Sequence, residues 1–488
     1  MNHILRSLGF LILLTASSLG QSGDPEIFLK GIPSGFQTVD MDHDEDGNTY
    51  VLGNRGGTGV IVKYDSSGNT NADENIVMTG FQAVALDVVG RAPGGAIYVA
   101  SASAVRKYSL AGDLQFSDPT SLSNVTDVAF SSATNQLFLA IQTPGIAPIV
   151  QVRNADAGFQ RWMVFGNLGW TNATVRSLTV DDQGAVYLVG ETGIEAGTWD
   201  PWASFGPPHQ SGSLSANTRY LAKVTPELDG YTSHQPGEFA SLFNVHFNNG
   251  WIYLMGRSAS TPTDALRVQR RDTDLADISR QLVISNGDYA TLVAATPGKM
   301  RKFGIAADAL DNVYLTGYLA NGSTRFFPHG TTSEEFRSVA STGESAFVAK
   351  LDSEFDYQWV KTPIQAPLPA MGTALRASWD GKNSRLWWSG SFQGENGITM
   401  QEGADASSAK TLPFEIGSWQ GFTAVFEPDG AFTEVVDFTL DTDYAENRVL
   451  LNGSPLQNPG TTLSLILDSN LEIKSPRTVY QWDGAPEP

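Results

Sequence analysis

Apolar and polar residues alternate in short runs along the chain, and Asp, Asn and Gly interrupt the runs every few residues. A period of two points to half-buried strands, and the interruptions point to tight turns between them. One unit recurs. An apolar strand ends in a polar turn, and a strand of the type aromatic-apolar-apolar-Gly follows. Then come a loop, a strand of the type apolar-x-Lys/Arg-apolar, and a second turn. The second-strand anchors are Tyr50, Tyr98, Phe138, Tyr187, Tyr253, Tyr314 and Trp387, in settings such as NTYVLG, AVYLVG and NVYLTG. Third strands read GVIVKYDSSG, RYLAKVTPELDG and AFVAKLDSEF. Seven such pairs of hairpins predict seven four-stranded units, and radial repetition of four-stranded sheets is a β-propeller. The alternatives are a stack of sandwiches and a β-helix, but spacings of 40 to 73 residues between anchors are too long and uneven for β-helix coils.

The expected fold class is therefore all-β: a propeller of seven four-stranded blades over residues 21–437, with a short C-terminal β appendage over 438–488. Residues 449–453 resemble a second strand and 463–468 a third, so a degenerate eighth blade is the alternative.

The repeat residues have fold-making roles. Asp, Gly and Asn suit the hairpin turns, because Gly and Asn tolerate positive φ and Asp accepts backbone N–H bonds. The aromatic anchors fill the wedge between neighbouring sheets. Within residues 302–361, DALDNVYLTG is followed by AFVAKLDSEFDYQW. This segment resembles the secreted bacterial seven-bladed beta-propeller (SBBP) repeat, with its Asp-x-x-Gly-Asn-x-Tyr-x-x-Gly, Phe-x-x-Lys-Leu-Asp and Trp signals. Residues 176–230 and 374–435 resemble it more loosely. The resemblance implies a propeller in an exported bacterial protein, and it implies no catalytic residue.

The N-terminus agrees with export. Arg6, the apolar run 8–14, and the small residues Ser18 and Gly20 read as a signal peptide over 1–20, cleaved near Gly20. The apolar run is too short to span a bilayer, and no later segment is long enough. The mature chain is expected outside the cytoplasm, secreted, periplasmic or at the cell surface, without membrane insertion.

Composition removes several kinds of chemistry. The 488 residues contain no Cys, so there is no disulfide framework, thiol nucleophile or Cys-bound metal centre. A formal charge of −21 argues against nucleic acid as a partner, which needs a basic footprint. The 49 Gly follow no collagen period and belong to turns. No GxSxG elbow, P-loop or metal-spaced His pair is present.

Loop lengths suggest a working face. First-to-second and third-to-fourth turns share one face of a blade ring and are uniformly tight. The extra chain lies in loops of the other face, at 191–218, 318–344 and 391–418, and in the crossing at 280–301. Binding residues commonly sit on such loops. The ligand-binding candidates are Trp199, Trp202, Phe205 and His209 in the first loop, and Arg325 and His329 in the second. Their rings could stack on sugars or, alternatively, fold back onto the blade edges. Lys299, Arg301 and Lys302 form a basic cluster, and Arg267, Arg270 and Arg271 read as surface or sheet-edge residues. Asp42, Asp44 and Asp46 fit D-x-D-x-D-G, a calcium-loop pattern, though the acidic residue that completes such a loop is missing. Calcium is thus the candidate metal, and no cofactor is required.

Three functions fit this reading. The first is a non-catalytic monomer that binds an extracellular carbohydrate or protein on the long-loop face. The second is an extracellular hydrolase or lyase, calcium-assisted. The third is an adhesive role bridged by divalent cations.

Overall fold

The structure is a computed structural model. It describes residues 27–426 apart from short intervening stretches, the longest at 286–303, together with strands at 435–440, 449–451 and 462–466. In several strands, 27–31 among them, it describes the backbone alone. The signal-peptide segment 1–20 lies outside the described residues. The chain divides into two compact units, one holding Ile27–Ser378 and Leu386–Phe426, the other Glu427–Pro488 with smaller pieces.

The first unit is a seven-bladed β-propeller. Blade 1 runs Gln37–His43, Thr49–Arg55, Thr58–Tyr64, Ile76–Met78, from inner to outer strand. Blade 2 runs Ala83–Val89, Ala96–Ser101, Ala104–Ser109, Leu114–Pro119. Blade 3 runs Val125–Ser131, Gln136–Ile141, Ile149–Asn154, Phe159–Val164. Blade 4 runs Thr174–Val180, Val186–Glu191, Arg219–Val224, Tyr231–His234. Blade 5 runs Phe239–Asn248, Trp251–Ser258, Leu266–Arg271, Ile278–Ser285, and blade 6 Ile305–Ala307, Val313–Leu319, Ser345–Leu351, Tyr357–Lys361. Blade 7 takes Ala370–Trp379, Ser384–Phe392 and Gln420–Phe426 from the end of the unit and its outer strand, Ile27–Gly31, from the beginning. Leu29 lies opposite Ala424 in that antiparallel ladder.

The second unit contains a three-stranded sheet. Val435–Leu440 lies between Val449–Leu451 and Thr462–Ile466. With seven blades complete, these strands do not form an eighth.

Each second strand carries its aromatic anchor fully inside the protein, as with Tyr50, Phe138, Tyr187, Tyr253 and Trp387. These strands read as continuous apolar runs because neighbouring blades cover both faces of the sheet. The core is accordingly a ring of inter-blade clusters. Tyr50, Leu52 and Ile61 pack on Leu86, Ile97 and Val99 between blades 1 and 2. Tyr187, Val189 and Leu221 meet Leu242 and Leu254 between blades 4 and 5. Met41, Val51 and Val62 meet Trp387 and Val425 where the last blade joins the first. Burial of about 1.5–3 kcal/mol per large apolar side chain, repeated at every blade junction, is what a cysteine-free ring rests on.

Candidate functional site

The inner strands carry most of the buried polar residues near the axis. In blades 1 to 5 the pairing of inner and second strands slips by one residue at the same place, just before Asp40, Ala85, Asp127, Ser177 and Asn244. Such a bulge re-aims the side chains that follow it. Two tiers result. The upper tier holds those five residues. The lower tier, two positions on, holds Asp42, Asp87, Ala129, Thr179 and His246, each opposite the second-strand aromatic.

The tiers lace each blade to the next. The innermost strand has one edge without a neighbouring strand, so its N–H groups need other acceptors. On the upper tier, Asp40 accepts the Leu86 N–H at 3.0 Å and Asp127 accepts the Leu178 N–H at 2.9 Å. Ser177 donates its hydroxyl to the Asn244 side chain at 3.0 Å. On the lower tier, Asp42 accepts Val88 N–H at 2.8 Å, Asp87 accepts Phe130 N–H at 2.6 Å, and Thr179 accepts Phe247 N–H at 3.3 Å.

At the junction of blades 7 and 1 the lacing is ionic. Arg376 donates Nε–H to Asp42 at 3.0 Å. Burial raises the Asp42 carboxyl, but Arg376, His43 and the Val88 N–H together outweigh it and hold Asp42 below the ordinary carboxylate range. Burial and the neighbouring Asp42 push Asp87 well above that range. His43 lies 3.8 Å from Asp42, and burial lowers its pKa.

The tight-turn face is closed by a different set of bonds. Asp44 accepts the N–H groups of Asp46 and Asn48, the Asn48 amide and the Tyr50 hydroxyl. Asp308 does the same with Leu310, Asn312 and Tyr314. Asp181 accepts from Gln183, Ala185 and Tyr187. The third-strand cation opposite each of these tyrosines lies over its ring: Lys63 on Tyr50, Lys223 on Tyr187, Lys350 on Tyr314. Second- and third-strand side chains, Lys223 among them, reach the third-to-fourth turn of the next blade. Tyr98 donates to Ala155 O, Lys107 pairs with Asp156, Lys223 donates to Thr273 O, and Arg270 donates to Ser353 O.

The candidate residues fall into separate places. Asp42, Asp44 and Asp46 do not converge on a common point. Asp42 is buried and bonded to Arg376 and the Val88 N–H, Asp44 is saturated inside its turn, and Asp46 is exposed. Among the described residues no group of three or more His, Asp or Glu side chains is placed to hold a metal ion.

Trp199 ends the strand Gly197–Trp199, which pairs with Gly212–Leu214. Trp202 lies in Trp202–Ala203, which adds a fifth strand to the outer edge of blade 3, opposite Val164. Arg325 is exposed on Gly322–Pro328, which pairs with the outer strand of blade 5 and with Arg337–Ser341. Its neighbour Phe326 is buried and packs edge-on against Phe347 and Tyr357. Phe205, His209, His329, Lys299, Arg301 and Lys302 lie outside the described residues. The 191–218 and 318–344 loops are thus not free excursions, since each lays strand against the outer edge of the preceding blade.

Arg267, Arg270 and Arg271 correct the reading made from sequence: all three are buried. Arg271 bonds Gln269, the Leu275 carbonyl and Glu238, and Arg267 bonds Ser258 and Gln281. A third strand flanked by sheets on both sides buries even its charged positions. Arg376 was missed entirely. Its signal is a cation on an inner strand, where the lower tiers of the other blades hold Asp, Ala, Thr or His.

No known family model matches the chain, and no curated protein matches it. Solved structures do. The β-propeller domain of Myceliophteria thermophila Cps50 (Swd1) aligns at 11% identity with a TM-score of 0.42, over 67% of this chain and 97% of that one. The Neurospora crassa Pan2 WD40 domain aligns at 9% identity with a TM-score of 0.45, over 84% of this chain and 97% of that one. Hydrazine synthase of Kuenenia stuttgartiensis aligns at 10% identity with a TM-score of 0.44, over 80% of this chain and 98% of that one. Similarity at this level concerns fold alone and adds nothing to what the strand order establishes.

Proposed function

We propose that the protein is an exported, non-catalytic propeller that binds an extracellular carbohydrate or protein partner on the face carrying the loops of blades 4, 6 and 7. The observation that carries this reading is the asymmetry of the two faces. On one, tight turns are saturated by their own Asp residues and tied to the next blade. On the other, the chain leaves the blades at 192–218, 320–344 and 393–419 and adds paired strands to the scaffold. Chain that is anchored to a rigid sheet yet extends beyond it suits recognition. The likeness of residues 302–361 to the secreted bacterial propeller repeat, and the leader-like N-terminus, support export.

The test uses the chain from residue 21 onward and a variant in which 193–218 is replaced by a short Gly-Ser linker. Glycan-array binding by the former, reduced at least tenfold in the folded variant, is the expected result. Turnover in a parallel screen of glycosides and lactones would overturn the non-catalytic reading.

A further inference from the structure

We propose that the tight-turn end of blade 5 holds a small monovalent anion of the halide class between Tyr253 and Arg270. The site is at the other end of the blade from the long loops, and the same row of residues in other blades shows what it needs. In blades 1, 4 and 6 a second-strand tyrosine stands beside a third-strand lysine: Tyr50 with Lys63, Tyr187 with Lys223, Tyr314 with Lys350. Two residues beyond the inner-strand partner of each tyrosine comes an aspartate, Asp44, Asp181 or Asp308. It accepts the tyrosine hydroxyl at 3.1, 3.1 and 3.0 Å respectively. Each of these rows thus contains a cation and an anion.

Blade 5 keeps the cation and drops the anion. Tyr253 stands beside Arg270, and Asn248 takes the place of the aspartate. The Asn248 amide is turned to blade 6, where it donates to the Asp308 carbonyl at 2.9 Å and to Asp311 at 3.3 Å. Blade 2 also lacks the aspartate, but there Tyr98 donates to the Ala155 carbonyl in the turn of the next blade. In blade 5 the corresponding carbonyl, Ser353 O, is taken by Arg270 at 2.8 Å. The other Nη of Arg270 donates to the Ser279 hydroxyl at 3.2 Å, and its guanidinium lies 4.6 Å from the centre of the Trp251 ring.

Two donors and one charge are left over. Tyr253 and Arg270 are buried, and among the described residues nothing accepts from the Tyr253 hydroxyl or from Arg270 Nε–H. No Asp or Glu among the described residues forms an ion pair with Arg270. The neighbouring charges have partners of their own. Asp308 accepts from Leu310, Asn312 and Tyr314, Asp311 accepts from Asn248 and Asn249, and Arg280, cross-strand from Arg270, pairs with Glu354. Burial first, and Asp311 next, raise the Tyr253 pKa while Arg270 lowers it, so the hydroxyl stays a donor with the guanidinium beside it. A buried cation without a counter-charge is costly, and a water molecule would satisfy the donors but not the charge. A halide does both. It takes N–H and O–H donors without a fixed orientation, and its single charge matches one cation in surroundings otherwise rich in carboxylates.

The experiment is thermal unfolding of the full chain in NaCl and in sodium gluconate at a matched ionic strength of about 0.2 M, which equalises screening. Wild type is expected to melt about 2 °C higher in chloride, by linkage between binding and folding. Asn248→Asp supplies the carboxylate that blades 1, 4 and 6 contain and is expected to abolish the difference. Tyr253→Phe removes one donor and should at least halve it, whereas Tyr314→Phe, whose row has its own aspartate, should keep it. No chloride increment in wild type overturns the proposal, and so does an increment that survives undiminished in Asn248→Asp. Should the variants not fold, anomalous diffraction from wild-type crystals grown in NaBr decides. A bromide peak within hydrogen-bond distance of Tyr253 Oη and Arg270 Nε supports the site, and its absence there sinks it.

Discussion

At the scale of single residues, the first-to-second turns work through one carboxylate each. Asp308 is buried and satisfies two N–H groups, one amide and one hydroxyl. Asp308→Ala leaves these donors without an acceptor and is expected to cost about 2–4 kcal/mol, against about 1 kcal/mol for Tyr314→Phe, both read from urea unfolding. The third-to-fourth turns make a less usual choice. Leu228, Leu275 and Phe355 adopt φ of 56°, 67° and 68° and are fully buried, where blades 1 and 2 use Gly68 and Gly112. The side chain plugs the blade end, and its burial of about 1.5–3 kcal/mol offsets roughly 1–2 kcal/mol of left-handed strain. An inverted order follows. Phe355→Ala keeps the strain and loses the plug, so it is expected to be less stable than Phe355→Gly by about 1 kcal/mol in the same urea assay. Ala above Gly would show that the turn is not strained. Buried tyrosines add a pH effect. Burial, with Asp44 and Asp181 beside the hydroxyls, raises the pKa of Tyr50 and Tyr187. The stability they contribute is fully present below about pH 10 and is lost as pH rises through their raised values. Phenolate absorbance should therefore appear in steps, the last coinciding with unfolding.

At the scale of elements, what the sequence made legible and what it hid divide along a physical line. The aromatic anchors and the tight turns depend on neighbours within ten residues, and they mark the hairpins correctly. The tier pattern depends on the bulges. Asp40, Asp127, Ser177 and Asn244 occupy one tier, Asp87 and Ala306 the other, and a list that mixes them looks random. One slipped residue decides the tier, and composition carries no trace of it. The burial of Arg267 and Arg271 was equally hidden, because it comes from the neighbouring blade. So was the partner of Ile27–Gly31, whose acceptor strand lies near the other end of the unit. Closure by this strand makes a direct prediction. Leu29→Pro puts a ring and a fixed φ into the strand opposite Ala424 and should open the outer edge of blade 7. Limited proteolysis is expected to cut the variant near 420–426 at least tenfold faster than wild type, with the other blades still protected.

At the scale of the whole molecule, the charge of −21 is the feature that the fold leaves least accounted for. Lacing by Asp40, Asp42, Asp87 and Asp127 uses only four of the 52 acids. Those on the surface repel one another, and this repulsion is a cost of the compact state that salt screens. Exposed ion pairs such as Lys63 with Glu74 weaken in salt too, but each is worth only about 0–1 kcal/mol. Screening of the net charge should win, so Tm is expected to rise with NaCl up to about 0.5 M. Calcium separates screening from binding. With Asp42 and Asp44 committed to different partners and Asp46 exposed, CaCl2 and NaCl at matched ionic strength should raise Tm nearly alike. MgCl2 controls for divalent screening. A CaCl2 increment well beyond the MgCl2 one would mean that a calcium site exists, by linkage between binding and folding. Replacing Asp46 by Asn would then show whether that site is the DxDxDG turn, because Asp46 is exposed and its substitution leaves the bonds of Asp44 intact.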